Sequence, residues 1–191
     1  MGACHRDAAG KQACRASRDP AGGPQRVVTP LGRTRQTAEA LWAAGAERVE
    51  PVVEPAFLEQ AFGAWTRKTW DEIGDLDDAI AKAFWDAPAT TCPPSSETYA
   101  TESAFDVCER VGLRLDDLAE DFAGRDIVCV AHAGSIRAAV AHALGLDAEK
   151  ALALDVQNTS LTRLDHITSS QGTNVRTKRG GSWRVVALNQ I

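Results

Sequence analysis

The chain has 191 residues, enough for one domain with a sizeable hydrophobic core. Hydrophobic residues make up 44% of the sequence and charged residues 25%, as in a soluble globular protein. The formal net charge of -5 argues against a nucleic-acid partner, and no apolar run is long enough to cross a membrane. We expect a cytoplasmic protein, because no secretory signal is present and the five cysteines form no CxxC pair.

The first 26 residues differ in composition from the rest of the chain. They contain no Val, Ile, Leu, Phe, Trp or Tyr, and they carry five basic residues against two acidic ones. Such a segment cannot bury enough apolar area to offset the entropy lost on ordering. We therefore expect residues 1–26 to be disordered or atypical, and residues 27–191 to form one domain with an insertion at about residues 55–100.

The rest of the sequence alternates strand patterns with helical patterns. Strands are expected at residues 26–28, 49–53, 126–131, 159–165 and 183–189, and helices at residues 33–44, 102–123 and 135–144, with Asp147 capping a further short helix. The apolar run at residues 126–131 is typical of a strand buried on both faces, and Cys108 and Cys129 are expected in the core. This alternation predicts an α/β protein, a three-layer α/β/α sandwich with a mainly parallel sheet.

Two polar side chains follow the carboxyl ends of predicted strands, where parallel sheets bind their ligands. Arg33 follows the strand at residues 26–28 across a turn, and His132 comes directly after residues 126–131. Taken alone, Arg33 is explained as a solvated first-turn residue and His132 as a hydrogen-bonded histidine near the core. Together, they favour an oxyanion ligand held by a guanidinium, an imidazole and helix N-termini.

Five segments, in order along the chain, resemble the histidine phosphatase (phosphoglycerate mutase-like) superfamily. Residues 29–39 (TPLGRTRQTAE) resemble its S-P-L-x-R-T-x-Q-T-A-E segment, and residues 57–65 (FLEQAFGAW) resemble its L-x-E-x-x-F-G-x-W loop. Residues 130–137 (VAHAGSIR) resemble V-A-H-G-G-x-I-R. Residues 102–111 and 158–162 resemble the E-S-…-V-x-x-R-V and N-x-S-L-T segments. Each match is weak alone, but five in family order are hard to obtain by chance.

The resemblance implies a phosphatase of the histidine phosphatase type that hydrolyses a small phosphomonoester. Arg33 would bind the phosphate, and His132 would bind the phosphoryl oxygens and stabilise charge in the transition state. Glu59 would be the general acid and then the base for the attacking water. Glu59 is otherwise explained as a solvated loop glutamate, but the apolar residues beside it argue against that explanation. Backbone near Ala133 would also hold the phosphate, although Ala133 replaces the family's usual glycine.

One part of the family pattern is absent. The family needs a first strand ending in Arg-His-Gly, whose histidine accepts the phosphoryl group. The histidine upstream of Arg33 is His5, which lies in Cys-His-Arg-Asp with no apolar strand before it. We expect that the first strand is absent, either because it lay before Met1 or because the N-terminal segment reflects a mis-set start or a shifted reading frame. The strand ending at Ala131 would then lack a neighbour, which predicts an unstable chain or a sheet completed by another chain, as in a homo-oligomer.

Two further functions stay open. A chain that keeps the pocket without the nucleophile would be a non-catalytic phosphate-ligand or partner-binding pseudoenzyme, and a phosphoglycerate mutase-like phosphotransferase would use the same residues. Hydrolysis is favoured because the chain is short and its insertion compact. No cofactor motif is present, and no metal is expected because His142 and His166 lack ligand spacing with Cys or acidic residues. The expected partner is phosphate or a small phosphorylated substrate.

Overall fold

The computed structural model describes residues 24–76, 79–167 and 183–191. Residues 1–23, which hold most of the segment expected to be disordered, lie outside this range. The described residues divide into two compact units, one of residues 24–55 and 116–130 and the other of the described residues within 56–115 and 131–191. No helix among the described residues is long and apolar enough to cross a membrane.

The first unit contains a parallel sheet of three strands. These are β1 (Gln25–Val28), β2 (Val52–Val53) and β3 (Ile127–Val130), in the order β2-β1-β3. Val27 and Val28 are each 1% exposed, as expected for β-branched residues in a central strand. Helix α1 (Gly32–Ala43) follows β1 after a short turn. The predicted strand–turn–helix at this point is confirmed.

Strand β3 is less buried than its apolar sequence predicts. Val128 is 41% exposed, and Cys129 is also exposed. Among the described residues, β3 pairs only with β1, so its other edge carries no strand there. The predictions of a strand buried on both faces and of Cys129 in the core are therefore wrong, because burial depends on neighbouring elements that a local apolar run does not supply. Cys108 is only partly buried.

The second unit contains short helices, two longer helices and an antiparallel strand pair. The helices are α2 (Trp70–Gly74), α3 (Ala79–Asp86), α4 (Ala104–Asp121, which continues into the first unit), α5 (Ala133–Leu144) and α6 (Ala148–Leu152), and the strands are β4 (Leu161–His166) and β5 (Trp183–Gln190). Helix α5 starts two residues before the expected position and ends at Gly145, which has a φ of 67°. Asp147 caps α6 as expected, its carboxylate accepting the N–H of Lys150 at 2.8 Å. The α/β class and the mainly parallel sheet are confirmed.

Aromatic packing organises the segment that follows Glu59. Trp65 and Phe84 are buried, and their rings meet edge to face with centroids 5.0 Å apart. Phe62 packs against this core and meets the ring of Trp70 edge to face at 5.5 Å. Such edge-to-face pairs add to the stabilisation from burial alone. The loop that carries Glu59 is thereby anchored at its C-terminal end.

Candidate active site

His132 lies at the N-terminal end of α5 and is only 6% exposed. Its backbone N–H donates to Oγ of Ser135 at 3.1 Å, and that hydroxyl donates to the carbonyl oxygen of His132 at 3.1 Å. Because Ser135 is also buried, these two bonds fix the first turn of the helix. The free N–H groups and the dipole at a helix N-terminus favour an anion.

The carboxylate of Glu59 lies at this helix N-terminus. Its Oε1 accepts the backbone N–H of Gly134 at 3.1 Å, and its Oε2 lies 3.3 Å from the same nitrogen. The N–H of Gln60 also donates to Oε1, at 3.0 Å. Glu59 is partly buried rather than solvated. The structure thus brings Glu59 to the helix end that His132 caps. We expected the backbone near Ala133 to hold phosphate, but the neighbouring N–H, that of Gly134, donates to the carboxylate of Glu59 here.

Arg33 lies in the first unit, on the exposed side of the first turn of α1. The turn before it is held by Thr34, whose hydroxyl donates to the carbonyl of Leu31 at 2.8 Å and lies 3.1 Å from Oγ1 of Thr29. Thr29 and Thr34 are both buried, so they set the direction in which the chain enters the helix. Arg33 belongs to a different unit from Glu59 and His132, and its phosphate-binding role stays a prediction.

The other described histidines lie elsewhere. His142 is in the last turn of α5, at the opposite end from His132, and an added Cβ on Gly112 would lie 2.6 Å from its Nδ1. His166 is on β4, where its ring centroid lies 4.7 Å from that of Trp183. Both therefore contribute to packing. Within the described residues, no group of three or more His, Cys, Asp or Glu side chains is arranged to hold a metal ion.

Two residues that the sequence interpretation left without a role hold the Glu59 loop. Nη2 of Arg110 donates to Oε1 of Glu102 at 2.7 Å, and Nε donates to Oε2 at 2.9 Å. The same guanidinium donates to carbonyl oxygens of Ala56 and Leu58. The match of residues 102–111 to the family segment was the available signal, but local sequence does not reveal contacts to carbonyls more than 50 positions away.

The fold is similar to those of solved phosphatases. The mycobacterial glucosyl-3-phosphoglycerate phosphatase in complex with inorganic phosphate has a TM-score of 0.64 and 25% identity, covering 94% of this chain and 84% of that chain. The alpha-ribazole phosphatase from Shigella flexneri has a TM-score of 0.70 and 18% identity, covering 96% of this chain and 83% of that chain. The latter likeness shows the fold, which is phosphoglycerate mutase-like as expected.

Sequence comparison identifies the family. The probable phosphoglycerate mutase GpmB of Erwinia tasmaniensis is 26% identical over 140 residues, which are 73% of this chain and 62% of that protein. The match thus spans less than two thirds of the length of this curated relative. The sequence model of the histidine phosphatase superfamily (branch 1) matches residues 8–178. The chain belongs to the histidine phosphatase superfamily.

Proposed function

We propose that this chain recognises a small phosphomonoester and that its chemistry is phosphomonoester hydrolysis of the histidine phosphatase type. One observation carries the proposal: the partly buried carboxylate of Glu59 is held at the N-terminus of the helix that His132 caps. A proton donor and an anion-binding helix end in one place suit a reaction that releases an alkoxide from a phosphate.

Each residue has a defined part in the proposed reaction. The phosphoryl group passes to an acceptor side chain as its bond to the leaving oxygen breaks, and protonated Glu59 gives its proton to that oxygen. His132 donates a hydrogen bond to a phosphoryl oxygen. The phosphate-binding role that the family resemblance implies for Arg33 is a separate prediction. Glu59, now a carboxylate, then takes a proton from a water molecule as the water oxygen attacks phosphorus, which breaks the bond between phosphorus and the acceptor and releases inorganic phosphate. The fold relative in complex with inorganic phosphate supports a phosphorylated ligand of this class.

The proposed reaction needs a phosphoryl acceptor. The family resemblance gives this role to the histidine of an Arg-His-Gly segment, and that tripeptide does not occur in the 191 residues. Of the four histidines, His5 is the one that lies outside the described residues. The lack of Arg-His-Gly in the 191 residues favours a second candidate function, a pseudoenzyme that binds a phosphate ligand at Glu59 and His132 without covalent catalysis.

Hydrolysis of an aryl phosphate by the purified chain tests the proposal. We expect turnover that falls in His132→Ala and in Glu59→Gln, with His166→Ala as a matched control that keeps it. Loss of turnover in His5→Ala as well would identify His5 as the acceptor. Absence of turnover, together with phosphate binding that depends on His132, would overturn hydrolysis and establish the pseudoenzyme. Absence of both turnover and phosphate binding would exclude both functions.

A further inference from the structure

We propose that Arg110, paired with Glu102, is the positioning residue that aims Glu59 at the N-terminus of α5. The inference rests on the proposed function, in which Glu59 is the proton donor. It assigns a role in that function to two residues outside the predicted site.

The guanidinium of Arg110 holds the loop before and at Glu59. Nη1 donates to the carbonyl oxygen of Ala56 at 2.8 Å, and Nη2 donates to that of Leu58 at 2.9 Å. Nη2 also lies 3.4 Å from the carbonyl oxygen of Glu59 itself. The two carbonyls of Leu58 and Glu59 belong to the peptide units on either side of the Glu59 Cα. Because a peptide unit is planar, holding both carbonyls restricts the direction of the Glu59 side chain.

Glu102 secures the same loop after Glu59. Its Oε1 accepts the backbone N–H of Ala61 at 3.0 Å, and its own carbonyl oxygen accepts a hydrogen bond from the side chain of Gln60 at 3.0 Å. The carboxylate also receives the two hydrogen bonds from Arg110. The ion pair therefore links both ends of the segment at residues 56–61 to the start of α4. Between these attachments, the carboxylate of Glu59 accepts the backbone N–H of Gly134.

The ion pair is shielded enough to restrain the loop. The side chains of Arg110 and Glu102 are only 24% and 18% exposed, so water competes little for their hydrogen-bonding groups. A lysine at position 110 would keep the charge but not the planar set of donors that reaches a carboxylate and two carbonyls together. Arg110→Lys is therefore the variant that separates the geometry of the guanidinium from its charge.

The test combines an NMR signal with kinetics. In the wild-type chain, the amide resonance of Gly134 should shift with pH because its N–H donates to a carboxylate, and Glu59→Gln should abolish this shift. Arg110→Lys and Glu102→Gln should reduce it to less than half, while resonances at the C-terminal end of α5 stay in place. Arg163→Lys, which alters an exposed ion pair with Asp165 on β4, is the matched control and should leave the Gly134 shift unchanged. With an alkyl phosphate, we expect kcat to fall by roughly 10- to 100-fold in Arg110→Lys, with a KM change of less than about 3-fold.

The outcomes separate this inference from the proposed function. If Arg110→Lys keeps the full Gly134 shift and the wild-type kcat, the positioning role is overturned while the proposed function stands. If the wild-type chain neither binds phosphate nor hydrolyses its esters, the proposed function fails. The Gly134 signal then still decides whether Arg110 orients the side chain of Glu59 toward the N-terminus of α5. A rise in KM alone, with kcat and the Gly134 shift unchanged, would also contradict the positioning role of Arg110.

Discussion

The carboxylate of Glu59 and the backbone N–H of Gly134 are hydrogen-bonded at 3.1 Å, although the two residues lie 75 positions apart in the sequence. The bond places a negative charge at a helix N-terminus, where such a charge is stabilised. It also means that the expected phosphate site and the expected proton donor share one N–H group. A phosphate that binds there must displace the carboxylate or meet it in its protonated form.

Glu59→Gln keeps the size of the side chain and removes the carboxyl group that donates and accepts the proton. We expect turnover of an alkyl phosphate to fall by about 10² to 10⁴-fold, since that is the usual contribution of a general acid. The loss should be smaller with an aryl phosphate, whose phenol leaves without protonation, and the loss that remains reflects the role of Glu59 as base for the attacking water. Affinity for inorganic phosphate should not fall, because a negative charge is removed from the helix end. Kinetics with the two substrates and calorimetry with phosphate measure these effects, with Glu109→Gln on the exposed face of α4 as the control. An equal loss with both leaving groups would contradict the role of Glu59 as general acid.

Gly134→Ala tests the same contact from the other side. A Cβ at this position would overlap Oε1 of Glu59, and the side chain of Glu59 would have to move away. The nearest atom belongs to a flexible side chain, so we expect the fold to survive with a stability change within about 1 kcal/mol. Turnover of an alkyl phosphate should fall as in Glu59→Gln. Gly74→Ala, where an added Cβ meets nothing within 4 Å, is the matched control. Wild-type turnover in folded Gly134→Ala would show that the contact is dispensable.

The exposed side of β3 predicts self-association or a poorly cooperative melt. Val128 is 41% exposed on a strand with one described neighbour, and such strands pair with other chains. Val128→Lys should reduce association and change unfolding free energy by only about 0.5 kcal/mol. Sedimentation and thermal melts measure both effects, and Val186→Lys, at a valine of β5 that is 48% exposed, is the control. A clean wild-type monomer with a cooperative melt at ordinary temperature would refute the prediction.

The cap of α6 should make a small contribution to stability that depends on pH. The side-chain hydrogen bond from Lys150, followed by that from its backbone N–H, lowers the pKa of Asp147. A lowered folded-state pKa means that the contribution is present above the unfolded pKa and is lost as pH falls through the folded one. The melting temperature of Asp147→Asn should therefore lie slightly below that of the wild type at neutral pH and match it in acid. A difference that persists in acid would point to another cause.

The sequence by itself determined the local structure and the family. The β-branched pair Val27-Val28 predicted β1, Gly145 predicted the end of α5, and Asp147 predicted the cap of α6, because each depends on interactions within a few residues. The segments around Glu59 and His132 carried the family resemblance for a similar reason. Contacts with a ligand restrict residue type, and this restriction can be read in a short motif.

Only the tertiary structure decided which groups meet and how well each strand is covered. The hydrogen bond from Gly134 to Glu59 and the contacts of Arg110 with the Glu59 loop join segments about 50 to 75 positions apart. The exposure of Val128 likewise depends on neighbours that its own apolar run cannot supply. Periodicity and composition report the preference of a residue for burial or for a backbone conformation. Long-range contacts depend instead on how the whole chain packs, and so they are settled by the folded structure.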